Sequence, residues 1–306
     1  GCGSIFKIKK GRIMYELYQA GEHCYYVQSP AKIGIVKVSE KEVCLIDSGS
    51  DKDAGRRVRK ILDEQGWKLT AIYNTHSNAD HIGGNRYLQQ QTGCKIYAPG
   101  MECDFTNHPV LELSFLYGGC PPKELRHKFL LAQESKALPL EEAALPEEVQ
   151  MIPLPGHFFD MVGFRHRGDD VVYLADCLSS RETLDKYQIG FIYDVAAYLE
   201  TLERVKTMTA RQFIPAHADA AEDIRELAQY NMEKVLSIAG QIEELCSEPM
   251  NFEKILQRLF QIYELKMDFQ QYALVGSTVR SYLSWLKETG RLEAFFENEM
   301  LLWKRV

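Results

Sequence analysis

The sequence predicts an α/β layered domain followed by a small helical module. Three observations carry that expectation. Four short β-type segments follow one another near the N-terminus, apolar strand-like runs then alternate with helix-period stretches, and the composition shifts near residue 246 toward two helices and a hairpin.

Residues Arg12–Tyr18, His23–Gln28, Lys32–Val38 and Glu42–Asp47 are β-rich and separated by turn residues, as in an antiparallel meander. The last ends in Leu-Ile-Asp-Ser-Gly, where the chain must turn. Asp51–Gln65 has helical period and charge, and Leu69–Asn74 is an apolar strand. Gly83-Gly84 opens a helix to about Gln91, and Lys95–Ala98 is strand-like. Residues 99–148 break the rhythm with Pro109, Gly118-Gly119, Pro121-Pro122, Pro139 and Pro146. That stretch is too long for an ordinary connection and reads as a functional loop or small lid. Order returns with strands Val149–Leu154, Met161–His166 and Val171–Ala175, a helix Val195–Thr207, strand Gln212–Ile214, and a long helical stretch Ala221–Cys246. Helices Phe252–Leu265 and Val275–Glu288 and a hairpin over Glu293–Val306 suggest a winged-helix-like module. The expected domains are therefore 1–245, with an insert at about 99–148, and 246–306.

The 306 residues, 45% apolar and 26% charged, are those of a globular chain with a sizeable core. A net charge of −7 argues against a general nucleic-acid or anionic-membrane binder. No apolar run approaches the length needed to cross a bilayer. The eight cysteines are scattered without a C-x-x-C pair, which reads as free thiols in a reducing, cytoplasmic setting. Gly1 in place of Met reads as an expression remnant, although a Cys-Gly-Ser start also fits a lipoprotein processed at Cys2.

Residues 75–84, Thr-His-Ser-Asn-Ala-Asp-His-Ile-Gly-Gly, place His76, Asp80 and His81 within six positions after an apolar run. Three further candidates follow at strand ends: His157 in Pro-Gly-His, Asp176 in Leu-Ala-Asp and His217 in Pro-Ala-His. A lone histidine in a globular chain is more often packed or solvated than a ligand. Four of eight histidines at strand ends, joined by two aspartates, make a nitrogen- and oxygen-rich set suited to a divalent metal.

In this order the motifs Leu45-Ile46-Asp47-Ser48-Gly49, His76-x-x-x-Asp80-His81-x-Gly83-Gly84-Asn85, Pro155-Gly156-His157, Asp176 and Pro215-x-His217 resemble the metallo-β-lactamase superfamily, in its glyoxalase-II-like branch. The resemblance covers roughly residues 12–220. It implies a four-layer αβ/βα sandwich and a metal-dependent hydrolase. It further implies one metal on His76, position 78 and His157, a second on Asp80, His81 and His217, Asp176 bridging both, and Asp47 bracing the site from behind. The chain departs from the pattern at position 78, where Asn78 replaces a histidine. An amide oxygen is a weak, neutral ligand, so the implied sites are unequal: the second strong, the first weak or partly filled. The expected metal is zinc, with iron or manganese as alternatives.

The chemistry implied is attack by a metal-activated water on a small-molecule ester, thioester, lactone or phosphoester. Asp80 and Asp176 would orient that water and take up its proton. Asn78, if not a ligand, is a candidate amide donor to the substrate. A metal-dependent RNA nuclease and a degenerate, non-catalytic metal binder are the competing readings. Phe158 and Phe159 beside His157 are either a pocket wall or core. Tyr117, with Tyr187 through Tyr193, are candidate cleft residues. His108 and His127 read as solvated loop histidines, and Cys177 as a buried small residue. Residues 251–306 carry eight basic side chains against seven acidic ones. Docking or homodimerisation is therefore the expected role of the tail rather than nucleic-acid binding.

Overall fold

A computed structural model describes residues 14–306. The expectations for Cys2, and for the first two residues of the Arg12–Tyr18 segment, lie outside the described residues. Strands β1 (Glu16–Gln19), β2 (Cys24–Gln28), β3 (Ile33–Lys37) and β4 (Glu42–Ile46) form the antiparallel meander. Strands β5 (Lys68–Tyr73), β6 (Lys95–Ala98) and β7 (Ala137–Pro139) then add in parallel to complete a seven-stranded sheet. A second sheet has the order β11-β10-β9-β8, from β8 (Val149–Pro153), β9 (Val162–His166), β10 (Val171–Ser179) and β11 (Gln212–His217).

Period-2 alternation explains the layering. Ile35, Leu45 and Ile72 face outward with Val58, Leu62 and Leu88. The last three lie on helices α1 (Lys52–Gln65) and α3 (Asn85–Thr92). Val36, Cys44, Ile46 and Tyr73 face inward and meet Phe164, Val171, Tyr173 and Ile214 of the second sheet. On that sheet's other face, Val172, Leu174 and Phe213 pack under α7 (Val195–Thr207) and α8 (Arg225–Leu245). The four layers are helix, sheet, sheet, helix. Asp51 caps α1 by accepting from Ala54 N at 2.8 Å, and Gly66, with φ of 71°, ends it.

The stretch 99–148 corrects the expectation of an irregular loop or lid. It contains helices α4 (Gly100–Asn107) and α5 (Pro109–Tyr117) as well as β7. Pro109 read as a breaker in the sequence but occupies the first turn of α5, where its missing N–H costs nothing. Helix α6 (Arg181–Tyr187), capped by Ser180, was not expected. Helix α9 (Phe252–Ile262) matches its expected start, whereas α10 (Phe269–Glu288) begins six residues before Val275 because Asp268 caps it. The chain ends in the hairpin of β12 (Leu292–Glu297) and β13 (Met300–Arg305). Leu256, Leu259, Tyr282 and Leu283 of the last two helices share one apolar cluster with Leu174 and Phe213 of the second sheet. No helix among the described residues is long and apolar enough to cross a membrane.

Gly83 and Gly84 are required by close approach. A Cβ on Gly84 would stand 2.3 Å from Ser48 O, and one on Gly83 would stand 2.3 Å from the Ser50 carbonyl carbon. Gly84→Ala is expected to destabilise the fold by about 3 kcal/mol, because backbone rather than a flexible side chain must yield. Urea unfolding of the purified variant measures this, and an unchanged midpoint would contradict it.

Candidate metal centre

Strand ends and short loops aim the six expected ligands at one place. Chain turning after β4 puts Asp47 at φ 64°, a conformation that Asp tolerates better than most residues. His76 follows β5, and the short helix α2 (Ala79–Ile82) carries Asp80 and His81. His157 lies in the β8–β9 loop and His217 ends β11. Asp176 sits inside β10 just after Ala175, whose φ of 51° coincides with a register shift against β11. That irregularity turns the Asp176 carboxylate out of the regular pleat.

The carboxylate of Asp176 is the hub. Its Oδ2 lies 3.6 Å from His76 Nε2, 3.4 Å from His157 Nε2 and 3.3 Å from His217 Nε2, while Oδ1 lies 3.0 Å from His81 Nε2. Asp80 Oδ2 is 3.2 Å from His217 Nε2 and 3.6 Å from His81 Nε2. Ligands about 2.1 Å from a shared ion stand roughly 3.0–3.4 Å from one another at a tetrahedral or octahedral edge, so these spacings are close to those of coordination shells. Two groups of donors emerge: His76, His157 and Asp176, and then Asp80, His81, Asp176 and His217. His76 Nε2, His81 Nε2 and Asp176 Oδ1 are buried without a hydrogen-bond partner. Buried polar atoms are rarely left so, and a shared cation would satisfy all three; the residues fit the group.

The other ring nitrogens are held from outside. Asp47 accepts from Thr75 N at 2.8 Å and Thr75 Oγ1 at 2.7 Å, and its Oδ2 is 2.9 Å from His81 Nδ1. His157 Nδ1 donates to Phe191 O at 2.8 Å, and His217 Nδ1 donates to Pro30 O at 3.0 Å. Thr75 Oγ1 is 2.9 Å from His76 Nδ1. Each contact turns its ring so that Nε2 faces the centre. The sequence reading placed Thr75 in the 75–84 motif and Phe191 among the candidate cleft residues but gave neither a role in holding a ring, and it passed over Pro30. Thr75, directly before His76, carried a weak signal, whereas the two carbonyls come from distant loops.

Electrostatics match a cation-seeking site. Burial opposes ionisation of Asp176, yet His217, His81 and His76 together hold its carboxyl well below the usual range. Burial likewise works against a charged His217, but Asp176 and Asp80 push it up to about 10. Burial pushes His157 down to about 4. Metal uptake must displace the His217 proton, so affinity is expected to rise with pH across the neutral range.

Two carboxyls of the 99–148 region support the neighbouring loops. Glu102, fully buried on α4, accepts from Asp160 N at 2.9 and 3.0 Å and so pins the segment after His157. Glu112 on α5 faces Ser77 and Asn78. Burial pushes both up to about 8. For Glu102 the unfolded chain releases its proton near the ordinary value of 4.5 and the folded chain only near 8. The folded state therefore binds more protons between those values, and stability falls with rising pH across that window. Glu102→Gln is expected to flatten part of the slope, read as melting temperature at pH 5 to 9. A parallel slope in the variant would contradict it.

Phe158 is fully buried and packs as core, while Phe159 stacks on Tyr193 with ring centroids 3.9 Å apart. Tyr117 and Tyr187 are exposed. His108 is exposed and His127 partly so, and neither belongs to the donor groups. Cys177 is buried, and burial raises its thiol far above the reactive range. A further cluster of His23, His166 and Asp169 satisfies itself: Asp169 accepts from His23 N, Cys24 N and His23 Nδ1, and its own N–H donates to His166 Nδ1. A small cavity of about 50 Å³ touches His157 and Asp176, with Phe191, Tyr198, Lys234 and Tyr282 among its lining.

The chain is similar to several known proteins. The family profile described as Metallo-beta-lactamase superfamily matches residues 27–217. A hydroxyacylglutathione hydrolase of Methylococcus capsulatus is 28% identical over 155 residues, covering 50% of this chain and 49% of that protein. One from Rhizobium etli is 46% identical over 121 residues, covering 40% and 38%. The chain spans about half or less of the length of these curated relatives. A metallo-beta-lactamase family protein from Thermus thermophilus shares the fold at a TM-score of 0.70 and 16% identity, covering 90% of this chain and 94% of that one.

Proposed function

This chain belongs to the metallo-beta-lactamase superfamily, and on that footing we propose that it is a metal-dependent hydrolase of a small-molecule ester, thioester, lactone or phosphoester. The observation that carries the reading is the convergence of His76, His81, His157 and His217 on the single carboxylate of Asp176. His76, His157 and Asp176, with Asn78, would hold one cation. Asp80, His81, His217 and Asp176 would hold the other, the stronger because Asp80 brings a charge where Asn78 brings a neutral amide. A divalent ion held by these residues would supply a water activated at neutral pH and a Lewis acid for the substrate. Nitrogen-rich donors favour zinc over iron or manganese.

The chain's own residues supply the rest. Burial leaves Asp80 the more exposed of the two central carboxylates, at 38% of its side chain against 9% for Asp176. Asp80 is thus placed to orient an approaching water. Asp47, through His81 Nδ1, fixes the imidazole whose Nε2 faces the centre. The curated relatives are named hydroxyacylglutathione hydrolases, so thioesters are the first substrates to try. Among the described residues that line the cavity beside His157, Lys234 is the one lysine and none is arginine, which offers little to RNA phosphates there.

The C-terminal elements, residues 246–306, fit a winged-helix-like docking or homodimerising module: Phe269, Phe296 and Met300 are exposed there. A cytoplasmic setting accords with the free thiols. The test strips the protein with a chelator and reloads it with zinc, manganese or iron. Thioester, ester, lactone, phosphodiester and RNA substrates are then assayed. Restored turnover of a small molecule is expected. Cleavage of RNA alone would replace the reading with a nuclease, and loaded protein inert on every substrate would leave a non-catalytic binder.

A further inference from the structure

Asn78 is held from behind by a residue that sequence reading passed over. Its Nδ2 lies 3.5 Å from Glu112 Oε2, while its Oδ1 lies 3.0 Å from His157 Nε2. Glu112 reaches this place from α5, 34 residues along the chain, and is only 4% exposed. Its other oxygen, Oε1, is 2.5 Å from Ser77 Oγ.

An amide can face two ways, and hydrogen-bond partners decide which. The short Oε1 contact to the Ser77 hydroxyl is where a carboxyl proton would lie. Oε2 therefore accepts from Asn78 Nδ2 whether or not Glu112 is ionised, and the amide oxygen is turned the other way. There it meets His157, whose Nδ1 donates to Phe191 O. The Nε2 of that ring then bears the lone pair. Two acceptors, Asn78 Oδ1 and His157 Nε2, stand 3.0 Å apart, with Asp176 Oδ2 3.4 Å from the same nitrogen. Lone pairs gathered in this way repel unless a cation lies among them, and the separations are close to those of ligands on a common ion.

We propose that Glu112 is a positioning residue: by holding the Asn78 amide nitrogen it presents the Asn78 carbonyl oxygen beside His157 as the remaining donor of the weaker cation position. The proposal rests on the two-position reading above and deepens it. A neutral oxygen fixed in place from α5 takes up the role that the resemblance assigns to a third imidazole, and Asn78 acts as a ligand rather than as a donor to substrate. The geometry ties the 99–148 region directly to the metal centre.

Chelator-stripped full-length protein, titrated with cobalt(II) by calorimetry and by the visible absorption of the bound ion, reads this without any turnover assay. Wild type is expected to show two binding events of unequal affinity. Glu112→Leu should weaken the weaker event about 10- to 100-fold, the usual effect of losing a partner behind a ligand, and leave the tighter event unchanged. Glu112→Gln, whose amide oxygen can still accept from Asn78, should restore the weaker event. Asn78→Leu should match Glu112→Leu, and the double variant should lose no more than either alone. An unaffected weaker event in Glu112→Leu, or losses that add in the double variant, would overturn the proposal while leaving the two-position reading intact. Wild type that takes up no cobalt would overturn both.

Discussion

Asp176→Ala is expected to abolish cation retention and hydrolysis together. Among the described residues no other side chain approaches all four converging imidazoles, and its two oxygens lie 3.0 to 3.6 Å from them. Removing it subtracts a charge from both donor groups at once, whereas loss of any one histidine touches a single group. The residual set would be four imidazoles and Asp80, in a place built around a buried anion. The fall in kcat/KM should be at least about 10³-fold, or ~4 kcal/mol of transition-state stabilisation. Metal content after dialysis should fall with it. A variant that retains two ions per chain would remove Asp176 from its central role. Asp176→Asn keeps the shape without the charge, so an equally large loss there assigns the effect to electrostatics rather than to a cavity.

The second large effect is expected at Asp47. This buried carboxylate accepts from Thr75 N and Oγ1 and faces His81 Nδ1. Asp47→Ala strands three polar groups in the interior and leaves a left-handed backbone position without a residue suited to it. Breaking a buried charged network of this kind costs about 3–5 kcal/mol, measured as the shift in unfolding free energy in urea. Asp47→Asn separates the contributions. It tolerates the backbone, so more stability should survive, but it holds the His81 tautomer poorly. Metal affinity should still fall about 10- to 100-fold. A full recovery of affinity in Asp47→Asn would show that only the fold, and not the ring orientation, depends on the carboxylate.

The difference between what sequence showed and what it hid follows from distance along the chain. The meander, the amphipathic α1 with its Asp51 cap, and the ligand residues at strand ends are local patterns, each contained within a few positions. Asp47 was legible only through the resemblance of Leu45-Ile46-Asp47-Ser48-Gly49 to the superfamily motif, which implied its bracing role. The helices over 100–117 were not, since their short apolar faces lack a strong period and Pro109 resembles a stop rather than a start. Helix α6 spans only seven residues and left too little pattern to notice. The supports of the ligands were hidden more deeply. Phe191 and Pro30 contribute backbone carbonyls, which no side-chain motif can announce. Glu112 meets Asn78 only after the chain has folded back across α4 and β6. Asn78 illustrates the limit best: its substitution was evident at once, but the direction of its amide depends on a partner that nothing nearby indicates.

The buried hydroxyl of Thr278 on α10 accepts from Ile192 N at 3.2 Å, one residue from the carbonyl that steadies His157. Tyr193 N and Asp194 N both bond back to Gly156 O. The final helices are thus mechanically continuous with the loop that carries His157. A shortened protein ending near residue 245 would free that segment and expose the apolar surface now shared with β10. Any attempt to study the centre in isolation from the tail should therefore yield material that aggregates and chelates poorly, and an intact C-terminus becomes a precondition for meaningful assay.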